Sequence, residues 1–301
     1  MFVIPVIVFL IVLEAVTWYI PNSYSYKYNY LKQHGKDLEA IAIGHSQLYD
    51  GFKPESFAYT SFNLSNSAQT YVDNYYLLKE VLSFLPNLKM VIMPIGYMNV
   101  DIIGSVDMFS ERACYYHKYM NLDYDGKLPL KDRFECLDVK RAVQKCLLYY
   151  VQHGDVVGCD SMGRRNTNTL SNRKHDLGYD RMLEMYTVTN PDSSCYCIGL
   201  GDYLERSLEI LNNKNIEVVL VSPPYYWDAG FKGVNYAQKH YLKDYVNLLS
   251  ERYQFHYIDL EADTSFNYDD FFNETHLSEL GAEKFSKILS DFASEYMKKK
   301  Q

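Results

Sequence analysis

Positive charge is scarce in this chain. Its 301 residues contain 30 Lys and Arg against 38 Asp and Glu, which gives a formal net charge of −8. A surface of this sign repels phosphate backbones, so we predict that nucleic acid is not a partner. The basic run from Met297 to Gln301 is short, and a short charged tail is usually the solvated end of a helix.

Cysteines are also few, and their spacing excludes the usual zinc motifs. The six cysteines lie between positions 114 and 197, none forms a C-x-x-C pair, and Cys195-Tyr196-Cys197 is too tight for a zinc knuckle. We therefore predict no metal site and no cofactor. The even number permits up to three disulfides in an exported region, or reduced and buried thiols in a cytoplasmic one.

No internal repeat or linker divides the chain, but its first residues differ from the rest. Residues 2–20 carry a single charge, Glu14, and are long enough to span a bilayer core of about 30 Å. Trp18-Tyr19 fits an aromatic belt at a membrane interface. Because no A-x-A cleavage site follows, we predict a retained transmembrane anchor over residues 1–22 and one domain over residues 23–301.

The charges around this segment leave its orientation open. No Lys or Arg precedes it, whereas Lys27, Lys32 and Lys36 follow it. By the positive-inside rule, these three lysines favour a cytoplasmic domain.

Short apolar segments alternate with amphipathic ones along most of the chain. This alternation is typical of an α/β fold with a parallel sheet and helices on both faces. We predict about five strands, near residues 39–44, 61–65, 89–95, 216–221 and 255–260. Helices are predicted near residues 71–82, 202–213 and 234–252, and after Ser278. In such a sheet, side chains that follow the strands meet at its carboxyl edge.

Residues 100–200 interrupt this alternation. They lack strand periodicity, and a helical pattern is present only near residues 137–151. We interpret the stretch as a mainly helical and loop insertion over the edge of the sheet that carries the site. An insertion that only packs against the domain is the open alternative.

Two polar segments from opposite ends of the chain form the main functional pattern. Ser46 follows the first strand directly, and Gly44 permits the sharp turn that would expose its hydroxyl. His276 lies in the predicted loop before the last helix, for which Ser278 is the expected N-cap. Considered alone, Ser46 would be interpreted as a helix cap and His276 as a solvated loop residue. Together they are typical of a catalytic nucleophile and its general base.

With these segments, the chain resembles the SGNH (GDSL-like) hydrolase superfamily over about residues 38–295, apart from the middle third. It is most similar to the bacterial, membrane-anchored cell-envelope branch, which includes polysaccharide O-acetyltransferase domains and the D-alanyl transfer protein of lipoteichoic acid synthesis. The resemblance implies a three-layer, flavodoxin-like sheet and a serine acyltransferase or esterase. It also implies an extracytoplasmic domain, an envelope polysaccharide or other glycan polymer as substrate, and a membrane acyl-donor protein as a further partner.

The resemblance also implies roles for individual residues. Ser46 matches the nucleophile and His276 the general base. Ser65 or Asn66 stands where the family's second block usually has glycine, and Asn99 stands one residue later than the asparagine of the third block. The expected oxyanion donors are therefore the backbone amide of Ser46 together with Ser65, Asn66 and Asn99.

The chain departs from the family pattern at the third member of the triad. Asn273 stands three residues before His276, where the family has aspartate. An asparagine oxygen can orient an imidazole but cannot stabilise its charged form, and in serine proteases the same change costs roughly 10⁴ in turnover. Three outcomes stay open: a slow Ser-His site, a substitute carboxylate (Asp269, Asp270 or Glu274), or a glycan-binding or scaffold module that does not catalyse.

Aromatic residues are abundant, and most of them are tyrosine: the chain has 30 tyrosines and only two tryptophans. Aromatic rings stack on sugars, so residues near the ends of strands three and four are candidates for a glycan groove. The predicted substrate-binding residues are Gln47, Tyr97, Tyr225, Tyr226 and Trp227. The tyrosines are also scattered throughout the chain, as a plain compositional bias would produce.

Overall fold

A parallel five-stranded sheet forms the centre of the computed structural model, which describes residues 3–96, 112–165, 167–173, 177, 201–226 and 236–300. The strands are β1 (Ala40–Ala42), β2 (Ser61–Asn63), β3 (Met90–Pro94), β4 (Glu217–Ser222) and β5 (His256–Asp259). Their order is β2-β1-β3-β4-β5, and each neighbouring pair is parallel. This order is that of flavodoxin-like folds, and it confirms the predicted parallel α/β sheet.

Nine α-helices are present in the described part of the chain. They are α1 (Val3–Trp18), α2 (Ser23–His34), α3 (Ser46–Gly51), α4 (Tyr71–Val81), α5 (Ala113–Met120), α6 (Val139–Cys146), α7 (Gly201–Asn213), α8 (Tyr236–Ser250) and α9 (Glu279–Lys300). A short antiparallel hairpin, β6 (Phe271–Asn273) and β7 (His276–Leu277), precedes α9.

The strands are apolar because both faces of the sheet are covered. Alternate residues of β1 belong to different clusters: Ile41 packs with helices α2, α4, α5, α7 and α8, whereas Ala40 and Ala42 pack with α3 and α9. A strand buried on both sides needs no polar face, which explains the nearly continuous apolar runs in the sequence. The three layers therefore follow from the composition of the strands.

The first helix does not by itself meet the requirements of a membrane span. Among the described residues, no single helix is both long and apolar enough to cross a bilayer; the segments Val3–Trp18 and Ser23–Asp37 meet these criteria only as a pair, bent by 46°. The transmembrane anchor therefore stays a prediction. The second half of α1 packs on the domain: Leu13 and Thr17 are buried, and Glu14 Oε1 lies 2.7 Å from Lys118 Nζ.

Helix α2 was not predicted from the sequence. Its buried side chains Tyr24, Tyr28 and Leu31 follow helical spacing. The helix packs against α5, where the Tyr24 and Tyr115 rings stack with centroids 5.3 Å apart. Tyrosine is less apolar than leucine, so this face gives only a weak hydrophobic signal. Lys27 lies on the same buried face.

The described part of the insertion is helical and irregular, as predicted, with no strand among its described residues. The expected helix near 137–151 consists of α6 followed by a π-helical turn, Leu147–Val151. Cys114, Cys136, Cys146 and Cys159 are free thiols, while Cys195 and Cys197 lie outside the described residues. The segment also reaches the predicted site, because Arg165 binds the Asp50 carboxylate of α3.

Candidate active site

Ser46 is the first residue of α3 and lies just beyond the carboxyl end of β1. Gly44 makes this exit possible, since a Cβ there would lie 2.3 Å from Pro94 Cδ on the neighbouring strand. The N-cap is His45, whose Nδ1 accepts a hydrogen bond from the Gln47 N–H at 3.3 Å. The capping position is therefore filled by the preceding residue, and the Ser46 hydroxyl is left for other contacts.

A single buried amide fixes α3 against the end of β2. Asn63 Nδ2 donates to the carbonyl oxygens of Leu48 at 2.8 Å and Phe52 at 2.9 Å, and its Oδ1 accepts from the Ser65 N–H at 3.0 Å. The Leu48 carbonyl also accepts from the Phe52 N–H at 2.9 Å, so the Asn63 amide is a second donor to the last turn of this short helix. The position of Ser46 is thus fixed both by the exit of β1 and by the Asn63 hydrogen bonds from the end of β2.

His276 lies on β7 and not in an open loop as predicted. The hairpin β6–β7 turns through Glu274 and Thr275, and strands of three and two residues are too short to show a periodic pattern in the sequence. Ser278 is the N-cap of α9, as expected, with its Oγ accepting from the Gly281 N–H at 3.4 Å. The hairpin thereby places His276 beside the start of α3.

The structure brings Ser46, His276 and Asn273 together. His276 Nε2 lies 2.7 Å from Ser46 Oγ, and His276 Nδ1 lies 2.9 Å from Asn273 Oδ1. Asn273 Oδ1 also accepts from the backbone N–H groups of Thr275 at 3.0 Å and His276 at 2.9 Å. Backbone amides can only donate, so the side-chain atom that faces them must be the Asn273 oxygen.

This assignment fixes the tautomer of His276. An oxygen acceptor beside Nδ1 requires the ring proton on Nδ1, which leaves Nε2 with a lone pair directed at the Ser46 hydroxyl. Thr275 Oγ1 lies 2.9 Å from the same Nδ1 and 3.2 Å from Asn273 Oδ1, and adds a further contact at this point. The imidazole is therefore in the form in which it can accept the serine proton.

The predicted substitute carboxylates are not the ones that approach His276. Among the described residues, Asp50 is the only carboxylate within 4.0 Å of the imidazole, with Oδ2 3.9 Å from Nε2, whereas Asp270 pairs with Lys284 at 2.6 Å. Asp269 and Glu274 form no such contact with His276. Sequence reasoning missed Asp50, although its position one helical turn after Ser46 was a usable signal.

The charge of Asp50 is largely balanced within the protein. Its side chain is fully buried, Arg165 binds both carboxylate oxygens, and Asn168 Nδ2 donates to Oδ2 at 2.8 Å. Arg165 also reaches Ser67 Oγ at 3.2 Å, which connects the loop after β2 to α3. Asp50 thus places a negative charge, largely balanced by Arg165, beside the Ser46–His276 pair.

Both imidazoles at the site are neutral at physiological pH. Burial lowers the pKa of His276, while Asp50 acts to raise it and Arg165 to lower it. Burial, with a smaller contribution from His276, lowers the pKa of His45 to about 3. A neutral His276 is the form required of a general base.

Two potential hydrogen-bond donors lie at the end of β2. The Asn66 backbone N–H donates to the Gly44 carbonyl at 3.0 Å, so Asn66 sits beside the exit of β1. Within the described residues, the buried Asn66 Nδ2 and Ser65 Oγ form no hydrogen bond of normal distance and angle, although the Asn66 amide lies close enough to the Tyr116 hydroxyl to oppose the rise in its pKa that burial causes. The Ser46 N–H is a first-turn amide that its own short helix leaves without an intrahelical partner.

The predicted substrate-binding residues fall into two groups. Tyr225 is only 1% exposed, and its hydroxyl donates to Gln47 Oε1 at 3.4 Å, while Gln47 Nε2 donates to the Thr275 carbonyl at 3.1 Å. These two side chains connect α3, β4 and the hairpin, and their burial does not fit an open stacking surface. Tyr226 is partly exposed and packs edge-on against Tyr268. Tyr97, Asn99 and Trp227 lie outside the described residues.

In the described ranges, no group of three or more His, Cys, Asp and Glu residues is arranged to hold a metal ion. The candidate site described above is formed by Ser46, His276 and Asn273, with Asp50 beside them. Its arrangement supports proton transfer between Ser46 and His276.

Comparisons with known proteins add little to this geometry. No protein-family model matches the chain, and no curated protein matches it. Among solved structures, the chain is similar to one described as "a putative platelet activating factor from Streptococcus pneumonia", with 14% sequence identity and a TM-score of 0.42. The match covers 89% of this chain and 90% of that one. A similarity this low does not identify a family.

Proposed function

We propose that the protein is a serine-dependent acyl-transfer enzyme in which Ser46 is the nucleophile and His276 the general base. The observation that carries this proposal is the 2.7 Å contact between Ser46 Oγ and His276 Nε2, on an imidazole whose tautomer is set by Asn273. A neutral imidazole held this way lowers the barrier to deprotonation of an otherwise weak nucleophile.

The reaction would proceed in two steps. His276 Nε2 takes the Ser46 proton as Oγ attacks the carbonyl carbon of an ester, and the resulting oxyanion receives hydrogen bonds from the Ser46 N–H and Asn66 Nδ2. The bond to the leaving alcohol then breaks, and His276 returns the proton to that oxygen. The acyl-Ser46 ester is resolved when a second hydroxyl or a water attacks, again with His276 as the base.

Asn273 sets the expected speed of this chemistry. Its oxygen orients the ring, but a neutral amide does not stabilise the imidazolium that forms during attack. Asp50 supplies some negative charge at 3.9 Å, which Arg165 offsets. We therefore expect a slow enzyme, and the same asparagine favours a non-catalytic glycan-binding or scaffold module as the second candidate.

We further propose an envelope glycan or polymer as acceptor, which makes the protein an O-acyltransferase or O-acetyltransferase, with carbohydrate esterase activity as the closest alternative. Support comes from the resemblance of the Ser46 and His276 segments to the cell-envelope branch of SGNH hydrolases and from the apolar first helix. The proposal includes a single-pass N-terminal anchor, an extracytoplasmic domain and a membrane acyl-donor protein as partner.

Turnover of an activated acetyl ester such as 4-nitrophenyl acetate tests the proposed chemistry. We expect slow release of nitrophenol by the wild type and none above background by Ser46→Ala. Addition of a polysaccharide acceptor separates the two enzymatic outcomes, because a transferase produces acetylated glycan whereas an esterase produces only acetate. A wild type that matches Ser46→Ala would favour the non-catalytic module.

A further inference from the structure

Lys27 of α2 is a buried lysine next to the candidate oxyanion donor. Its Nζ donates to the Ser65 carbonyl and, at 3.3 Å, to Asn66 Oδ1, and it lies 4.1 Å from the centroid of the Tyr49 ring. Among the described residues it has no carboxylate within ion-pair distance. Lysine is almost never fully buried unless it is paired, so its retention here calls for a specific reason.

A second residue of α2 contacts the same amide oxygen. Ser23 Oγ donates to Asn66 Oδ1 at 3.4 Å, so two donors from one helix converge on that atom. Rotation of the amide by half a turn would place its NH₂ group against the Lys27 ammonium, which cannot accept a hydrogen bond, whereas the Ser23 hydroxyl can either donate or accept. The Lys27 contact therefore holds the Asn66 oxygen toward α2, the Ser23 contact adds to it, and Nδ2 is left as the buried donor without a hydrogen bond.

The charge of Lys27 also affects the strength of that donor. A cation on the carbonyl side of an amide draws electron density away from its N–H groups, and hydrogen bonds in a low-dielectric interior polarise one another. Burial lowers the pKa of Lys27 to about 7, while Cys159, Asp160 and Asp50 act to raise it and Arg165 to lower it. With this pKa the side chain carries its charge below about pH 7 and loses it above, and the charged form costs stability that a methionine of similar length would avoid.

We infer that α2, through Lys27 and Ser23, positions Asn66 as the side-chain donor of the oxyanion site. The inference rests on the proposed function and extends it, since it assigns part of the reaction's geometry to a helix outside the sheet. Lys27 and Ser23 are positioning residues that act through Asn66. Helix α2, which directly follows the predicted anchor, then belongs to the active site.

Steady-state kinetics on full-length variants test this inference. An oxyanion donor acts mainly in the transition state, so its loss lowers kcat and leaves KM nearly unchanged. We expect Asn66→Ala to lower kcat by about 10²-fold, in the range seen when one such donor is removed. Lys27→Met should lower kcat by about 10-fold or more and Ser23→Ala by a few-fold. Lys32→Met, an exposed lysine on the same helix, should leave kcat unchanged.

A double variant separates positioning from a general effect on folding. If Lys27 acts through Asn66, then Lys27→Met costs little in a chain that already carries Asn66→Ala, because coupled residues are not additive. Folding of each variant is checked by its melting transition. A folded Lys27→Met with wild-type kcat, or one whose full cost persists beside Asn66→Ala, would overturn the inference.

The side-chain amide resonances of Asn66 provide a readout that does not need turnover. We expect them to shift in Lys27→Met and in Ser23→Ala, and to keep their positions in Lys32→Met. Unshifted Asn66 resonances in Lys27→Met contradict the inference even where the enzyme is active. An inactive wild type with shifted resonances would instead count against the proposed function and leave the positioning contact in place.

Discussion

At the scale of single residues, the central feature is an asparagine that orients the His276 imidazole but cannot stabilise its protonated form. Asn273 Oδ1 receives the His276 ring N–H and two backbone N–H groups, so its orientation is fully determined. The carboxylate that the site does contain, Asp50, approaches the other ring nitrogen and is bound by Arg165. Orientation and charge are thus supplied by different residues.

Asn273→Asp should accelerate acylation of Ser46. The new carboxylate accepts the same hydrogen bonds and also stabilises the imidazolium that forms as Ser46 loses its proton. We expect the rate of ester turnover to rise by about 10-fold or more, measured with a 4-nitrophenyl ester. Asn267→Asp adds the same charge at an exposed position and serves as the control. Equal rates for Asn273→Asp and wild type would show that imidazolium stabilisation does not limit the reaction.

His45 should make the fold sensitive to acid. Burial keeps its imidazole neutral in the folded state, with a pKa of about 3, whereas the unfolded chain takes up a proton near its ordinary value of 6.5. The unfolded state binds more protons in this interval, so the free energy of unfolding falls as the pH drops from about 6.5 to about 4, by up to about 3 kcal/mol.

Urea unfolding of wild type and His45→Asn across this pH range measures the effect. Asparagine keeps a capping group at this position and does not titrate, so the variant should lose less stability in acid. An identical pH dependence in both proteins would assign the acid sensitivity to other groups.

At the scale of elements, the exit of β1 decides where Ser46 lies. Gly44→Ala places a methyl group where Pro94 packs, and we expect it to cost about 1–3 kcal/mol and to slow the reaction of Ser46. Pro94→Ala removes the clashing ring atoms, so the double variant should recover part of both losses. Denaturant unfolding measures the loss of stability, and ester turnover measures the loss of rate. A double variant as unstable and as slow as Gly44→Ala would show that the clash with Pro94 is not the cause.

Elements with strong local signals were predictable and the others were not. The five strands and helices α4, α7 and α8 follow from apolar periodicity, and their predicted bounds lie within a few residues of those observed, as does the predicted start of α9. The hairpin that carries His276 is too short for a periodic signal. The contact between Asp50 and His276 depends on tertiary folding, because the two residues lie at opposite ends of the chain.

At the scale of the whole molecule, a parallel sheet gathers distant segments at one edge. Ser46 follows β1, Asn66 follows β2, and His276 enters from the hairpin before α9. This convergence is a property of the fold class, and it explains why a serine and a histidine far apart in the sequence lie within hydrogen-bond distance.

The first helix yields a prediction about the whole chain. Its first ten described residues are mostly exposed and apolar, and an exposed apolar surface of this kind usually marks a binding or membrane surface. We expect the full-length protein to stay in the membrane fraction after an alkaline carbonate wash. Ile7→Arg combined with Ile11→Arg should release it, since a charge at mid-membrane costs about 3 kcal/mol. Recovery of the wild-type protein in the soluble fraction of the carbonate wash would refute the predicted membrane anchor.

Covalent labelling with a fluorophosphonate tests the central claim most directly, because the reagent reacts with activated serines and requires no knowledge of the substrate. Mass spectrometry of the digested protein then locates the adduct. The proposed mechanism predicts one adduct on Ser46, none in Ser46→Ala, and much slower labelling in His276→Ala. A folded wild type with no adduct, or with an adduct on another residue and Ser46 unmodified, would contradict it.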